Sequence, residues 1–557
     1  KEYAYHINRL FFLVPVIQEL EQTKNRNLVK FCNEILQDWI FRNPRPTIRR
    51  DSVQWRGLEA AIRLAIILPR IFYQLDEELD GATKILILST IFDHCEYLQR
   101  WRSFSGNHLV IQMYALGTGA CGWSEFKDSN EWALSARKQM TKELIKRQVY
   151  PDGVQKECSS HVHMFTLTHF DPFIELMNKT RTPVSEHYLH RVEKMWNYAV
   201  YSMRPNGYLP LNNDCWLKDY RESLKDAAYT FHRDDWLYII TNGKEGNFND
   251  VILSRYFPWG GHAIMRSGVT EQDHWCFFDN GPSGISPTHL HRDKLHLSIY
   301  ANGRDILVDS GSLHHLEDKW RNTYYNSSNG HNVVLIDGYG QKAPERRRTK
   351  PLYQTYISDR KEDFAFGCYD KGYAIDKLGV KVGYKSKLHD NVKHYRLLYY
   401  RRGKFWIIVD RIICKQEREV SFLWHFHPDC SVEIEGNDCY TTDEGQGNIR
   451  IMPISELNLQ IERIKGQIKP NIQGWYSKKY NEKQTNFCVK YKTRVLEQQD
   501  FIWIIVPHKN SVPPILVKSY DTRDSEDPDL KLLSINCGDI VQKEDIQLDL
   551  KFYLNLM

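Results

Sequence analysis

The sequence predicts a chain in two parts, an N-terminal α/α bundle or toroid followed by a C-terminal antiparallel β-sandwich. Three observations predict it. Apolar residues recur at helical spacing up to about residue 250. Beyond about residue 255 they fall in short runs rich in Ile, Val, Tyr and Trp. At 557 residues the chain is also longer than one ordinary core supports. We therefore expect domains over 1–250 and 251–557.

The helical part opens with Leu10, Val14, Ile17 and Leu20, then Leu58, Ala61, Leu64 and Leu68, both sets spaced to share one helix face. Similar stretches follow at 85–98, 109–116, 132–145 and 192–203. Asn43-Pro44, Asp80-Gly81, Asp152-Gly153 and Pro205-Asn206-Gly207 punctuate them. The strand-like runs lie at 295–300, 305–309, 333–336, 405–409 and 501–506. Asn302-Gly303, Asp337-Gly338 and Arg402-Gly403 turn the chain between them. The boundary at 247–255 has no Pro/Gly-rich linker, so rigid packing is expected, with a large ligand bound at the junction.

Composition narrows the function. With 75 basic and 70 acidic residues the net charge is +5, too balanced for a nucleic-acid binder but compatible with a local positive cleft for an acidic polymer. The densest basic run, Arg346-Arg347-Arg348-Thr349-Lys350, reads as a solvated loop. The 15 Trp, 32 Tyr and 24 Phe suit a sugar-binding cleft, although most read as core. The twelve cysteines are scattered, without a C-x-x-C pair or a disulfide framework. No apolar run reaches the ~18 residues of a membrane span. A chain starting at Lys1 without a leader suits a trimmed mature form, and we expect a periplasmic or secreted protein.

The most informative stretch is Thr288-His289-Leu290-His291-Arg292-Asp293. Two histidines one residue apart point the same way if the chain is extended. Asp309 ends one apolar run and His331 opens another, so His291, Asp309 and His331 supply ligand types that zinc accepts. Their separations of 18 and 22 residues form no local zinc motif, and structural histidines at strand ends remain the competing reading. The helical half offers Asn107-His108, Glu157, and His161 and His163; the last two share a side only if that segment is extended. Arg321, Tyr324 and Tyr325 precede His331 and read either as substrate contacts or as loop packing. Trp55, Arg63, His425 and His427 read as structural.

Taken in order, these pieces resemble the heparinase II/III-like polysaccharide lyases. The resemblance runs through Gly106-Asn107-His108, Asp152-Gly153, Glu157 and His163, Gly207-Tyr208-Leu209-Pro210 with Asn213-Asp214, and Gly260-Gly261-His262. It continues through His289-x-His291-x-Asp293, Leu307-Val308-Asp309-Ser310-Gly311 and His331-Asn332-Val333-Val334. It implies an incomplete α/α toroid followed by an antiparallel β-sandwich, and β-elimination on a uronic-acid-containing polysaccharide to give unsaturated uronyl products. In that chemistry the uronate carboxylate must be neutralised, a base removes the C5 proton, and an acid protonates the leaving oxygen. The resemblance assigns Asn107 to the carboxylate, His108 to the base and His289 to the opposite side of the sugar. It gives Zn2+ to His291, Asp309 and His331, and substrate contacts to Glu157, Arg321 and Tyr325.

One position departs from the family. Relatives read Tyr-His where this chain has Val162-His163, and valine transfers no proton. Three explanations stand: His161 or His163 has taken the role, Tyr324 or Tyr325 supplies it, or the chain is impaired. Two other functions compete with the lyase. A glycoside hydrolase would need a carboxylate pair, for which Glu157 and Asp214 are the placed candidates. A glycan-binding protein without chemistry is the other. The expected substrate is an acidic polysaccharide such as hyaluronan, chondroitin, heparan or a bacterial or algal uronate glycan.

Overall fold

Residues spaced three and four apart bury one stripe of several N-terminal helices. Leu13, Ile17 and Leu20 do so in Leu13–Thr23, and Ile87, Ile91, Cys95 and Leu98 in Gly81–Arg100. Asp80 caps the latter, its carboxylate accepting from Thr83 N, and a cap of this kind is worth about 1 kcal/mol. Leu10 departs from the expected helix: it is buried but adopts φ 62°, in the turn between Glu2–Asn8 and Leu13–Thr23. Helix Asn107–Gly122 is buried on nearly every side. A Cβ at its Gly119 would lie 2.4 Å from Cys95 Sγ, so the glycine permits the close approach of the neighbouring helix. Arg63 and Trp55 are structural. Arg63 is wholly buried, donating to His94 Nε2 at 2.9 Å and to the carbonyls of Asn8 and Gln54.

The computed structural model describes residues 2–23, 25–48, 52–249, 253–282, 289–313, 319–342, 349–374, 388–389, 391–454, 458–479, 481–509, 515–520, 530–537 and 544–549. Thr288 and the arginines of the basic run, 346–348, lie outside them. By density of contacts the chain forms two compact units. One comprises Lys1–Gly153 and Met164–Met195, the other Val154–His163 and Trp196–Met557. The change from helix to strand falls between Asp234–Ile240 and Arg255–Phe257, so two late helices, Arg221–Thr230 and Asp234–Ile240, belong to the unit that carries the strands.

That second unit is built on two antiparallel sheets. Five strands run in sequence order from Arg255–Phe257 to Arg304–Leu307. A ten-stranded sheet is centred on two long neighbours, Phe405–His425 and Phe487–His508, which pair along most of their length. Met265, Phe278, Leu297 and Ile299 of the first sheet share a core with Ile408, Phe422, Trp424 and Trp503 of the second. Each such side chain contributes roughly 1.5–3 kcal/mol on burial, so the sandwich is a rigid frame for whatever its loops carry. No helix among the described residues is long and apolar enough to cross a membrane.

Candidate active site

The site of the second unit is assembled on the segment 212–214. Asn212 accepts from Ser160 N and Oγ at 3.1 and 2.8 Å and donates to Cys158 O at 2.6 Å, which fixes the first turn of helix Ser160–Phe170. Asn213 takes φ 52°, a conformation asparagine tolerates better than most residues. From there it donates to Cys158 O and accepts from His291 N, both at 2.9 Å. The next residue, Asp214, is thereby turned into the loops of the sandwich.

Asp214 is buried, and a buried carboxylate persists only when charge and hydrogen bonds compensate it. It accepts from Arg321 Nη2 at 2.7 Å and from Ser312 Oγ at 2.8 Å. It also meets His289 Nδ1 at 2.9 Å and His291 Nε2 at 3.2 Å. Arg321 is therefore held by Asp214. His289 keeps 24% of its side chain exposed. Burial alone would depress its imidazolium, but the hydrogen bond and charge of Asp214, with Glu157 assisting, raise its pKa above the ordinary histidine value.

Because His291 Nε2 is spent on Asp214, its Nδ1 is left inside, with no hydrogen-bond partner among the described residues. His291, Asp309 and His331 are all buried, and each offers a ligand atom within 4.8 Å of the others. Asp309 Oδ2 lies 2.9 Å from His331 Nδ1, and its other oxygen accepts from Gly311 N. Burial would raise the Asp309 carboxyl, but the neighbouring imidazoles, His331 foremost, hold it at about 2. Asn332 anchors the cluster from behind, donating to the carbonyls of Leu297 and Val308 and accepting from His425 N at 2.7 Å. Two imidazoles and one carboxylate around an unsatisfied ring nitrogen form a donor set fit for a divalent cation.

The histidines of helix Ser160–Phe170 diverge, as helical geometry requires. His163 is buried against Tyr198, its Nδ1 accepting from Gln155 N at 3.4 Å. His161 is half-buried, its ring centroid 3.6 Å from that of Trp216. Tyr324 has no freedom to move a proton: its buried hydroxyl donates to Trp475 O at 2.8 Å and accepts from Trp475 N at 3.1 Å. Tyr325 is buried edge-on against Tyr324. In the first unit, Asn107 opens helix Asn107–Gly122, immediately after Gly106 at φ 88°. His108 is exposed at its edge. Partial desolvation, then the charges of Arg56 and Arg9 with Glu59 opposing, draws its pKa below the ordinary range and favours the neutral base.

Residues 1–238 match the family description Heparinase II/III N-terminus, and residues 252–517 match Heparinase II/III-like, C-terminal. The chain belongs to the heparinase II/III family. Membership puts it among the polysaccharide lyases, the class expected from its motifs. It is 21% identical over 570 residues to a heparin-sulfate lyase of Bacteroides thetaiotaomicron, covering 96% of this chain and 77% of that one. A heparin-sulfate lyase of Pedobacter heparinus is 22% identical over 520 residues, covering 90% and 73%. Among solved structures, the heparan sulfate lyase HepC from Pedobacter heparinus superposes with a TM-score of 0.76 at 19% identity, covering 98% of this chain and 82% of that one. These structures share the expected fold class, an α/α toroid followed by an antiparallel β-sandwich.

Within the heparinase II/III pattern, sequence reasoning quoted Asp214 as a motif residue without seeing that it organises the site. Ser312 and Trp216 fall in none of those motifs, and Asn332 enters only within the run His331-Asn332-Val333-Val334. Only the polar run Asn212-Asn213-Asp214 hinted at this role, because short Asn and Asp side chains cluster where backbone must be tied down.

Proposed function

We propose that this heparinase II/III-family chain cleaves a uronic-acid-containing glycosaminoglycan of the heparan sulfate kind by β-elimination. The single observation that carries the reading is the Asp214–His289 pair: a buried carboxylate aims a partly exposed imidazole from a cluster also holding Arg321 and His291. Such a pair fixes the ring and stabilises positive charge on it, which suits a partner for an anionic sugar. The names of the relatives support the glycosaminoglycan class.

In this reading the Asn107 amide takes the family's role of donating to the uronate carboxylate, and the charge that Asp214 supports on His289 suits the anion formed at C5. His108, kept neutral, takes the C5 proton. The electron pair left at C5 forms the C4–C5 double bond as the C4–O bond breaks, and the departing oxygen receives a proton from His161. We assign that role to His161 because its ring is half-exposed on Trp216, while His163 is buried and Tyr324 is committed to Trp475. General acid–base steps of this type contribute about 10²–10⁴-fold each. Glu157 lies close enough to act on His289 and supports its charge.

We also propose zinc as the cation of His291, Asp309 and His331. When bound there it would supply a fixed positive charge that orders the histidine-bearing loop. The protein's own part is to keep Asp309 ionised and to orient His291 through Asp214. An acidic polymer is met outside the cytoplasm, so a periplasmic or secreted enzyme follows from this substrate.

Ultraviolet absorbance during digestion of a panel of uronate polymers tests the reading, because elimination conjugates the new double bond with the carboxylate. A rise with heparan sulfate is expected. Reducing ends without that rise would mean hydrolysis, and binding with neither would mean a glycan-binding protein. His161→Ala should lower kcat at least ~10²-fold; near-normal turnover would remove it from the mechanism.

A further inference from the structure

Phe104 is 86% exposed, yet the protein holds it firmly. It lies in the segment between helices Gly81–Arg100 and Asn107–Gly122. The backbone of that segment is pinned on both sides of the ring: Ser103 N donates to Gln112 Oε1 at 2.7 Å, and Gly106 N to Glu143 Oε2 at 3.1 Å. Arg147 Nη1 donates to Phe104 O at 2.6 Å, and the guanidinium carbon sits 4.6 Å from the ring centroid. Arg147 is fixed in turn at 2.8 Å by Glu143, whose side chain is wholly buried. Glu143–Gln148 is a π-helical turn, a geometry found often at functional sites.

The ring therefore has a cation at hand and its hydrocarbon turned to water, held in place by a buried carboxylate. Solitary exposed apolar residues are ordinary on protein surfaces, and two features set this one apart: the anchoring just described and its position in the chain. Phe104 precedes Asn107 by three residues, so their Cα atoms are at most about 11 Å apart, the span of a short oligosaccharide. An aromatic face accepts the axial C–H face of a pyranose, which is apolar even in an acidic sugar. The Arg147 charge is balanced by Glu143, so the arginine orients the ring and is no anion trap.

We propose that Phe104, oriented by Arg147, is a stacking subsite for a pyranose ring of the acidic glycan, one or two sugar residues from the one gripped by Asn107. The proposal rests on the lyase reading given above. Its test compares wild type, Phe104→Ala, Phe104→Leu and Phe104→Trp on heparan sulfate, by initial rates of ultraviolet absorbance and by direct titration of binding. Loss of the stacking face in the Ala and Leu variants should raise KM and Kd roughly three- to tenfold, with kcat falling much less. The Trp variant should bind as tightly as wild type or tighter. A Leu variant equal to wild type would reduce the site to a generic apolar contact and overturn the proposal. So would an unchanged Kd in the Ala variant, or a fall in kcat matched by a fall in melting temperature. If wild type binds without producing the chromophore, the lyase reading fails while the Kd series still decides the subsite. If wild type neither binds nor cleaves, both fail.

Discussion

Replacing Asp214 by Asn changes one atom and reaches every part of the histidine cluster. One oxygen of Asp214 faces His289 Nδ1 and Arg321 Nη2, the other His291 Nε2 and Ser312 Oγ. An amide offers one oxygen and one NH2. If the NH2 faced Arg321, two donors would meet, so the amide oxygen must stay on that side. The NH2 then points at Ser312, which can rotate to accept, and at His291 Nε2, which must give up its proton. The His291 proton moves to Nδ1, the nitrogen otherwise left inside for a cation. Losing a second-shell partner of this kind typically costs 10–100-fold in metal affinity. Charge-assisted hydrogen bonds weakened to neutral ones should remove about 1–3 kcal/mol of stability, most of it through Arg321 because His289 keeps solvent contact. With His289 no longer facing a carboxylate, kcat/KM should fall at least ~10²-fold. Urea unfolding, metal titration and initial rates measure the three effects. A variant within about 0.5 kcal/mol of wild-type stability and of wild-type rate would refute the view that Asp214 organises the site.

Other outcomes follow from the same geometry. Tyr324→Phe strips Trp475 N and O of their shared partner, so stability should drop by about 1–2 kcal/mol while kcat holds; a large loss of kcat in a stable variant would return the tyrosine to the mechanism. Chelation, or His291→Ala, should lower the melting temperature, and a purified protein with no bound zinc and no response to chelator would dismiss that cation. Acid should lower stability in two stages. Burial holds His262 at about 3, so its contribution is complete above the unfolded histidine value near 6.5 and is lost as pH falls towards 3. Asp410 is held at about 2 against burial by Arg396 and His394, so about 2 kcal/mol should vanish as pH falls from roughly 4 to 2. Stability that stays flat from pH 6.5 to 4 would contradict the first stage.

The periodicities that announced helices and strands were legible because each depends on neighbours a few residues away. Leu10 misled because its burial fits the helical stripe while its φ of 62° does not, and burial alone cannot report a backbone turn. Helices Arg221–Thr230 and Asp234–Ile240 read as part of the helical half, but their contacts belong with the sandwich, a property of tertiary packing. The cation trio was visible as residue types whose convergence needed the sheet. Asp214 was opaque for the same reason: its partners lie 75 to 107 residues away, and no spacing rule reaches that far. Tyr324 looked available beside His331, and only the π-helical turn Arg321–Tyr325 turns its hydroxyl onto Trp475.

One experiment bears most directly on the central claim, that His289 aimed by Asp214 acts on a uronate to eliminate the neighbouring sugar. Heparan sulfate is digested by wild type and by His289→Ala, and the products are weighed by mass spectrometry. Wild type should release oligosaccharides lighter by one water than hydrolysis products, with the conjugated chromophore, and His289→Ala should release none while staying folded with only a modest fall in melting temperature. Full-mass, saturated ends from wild type, or undiminished unsaturated product from the variant, would contradict it.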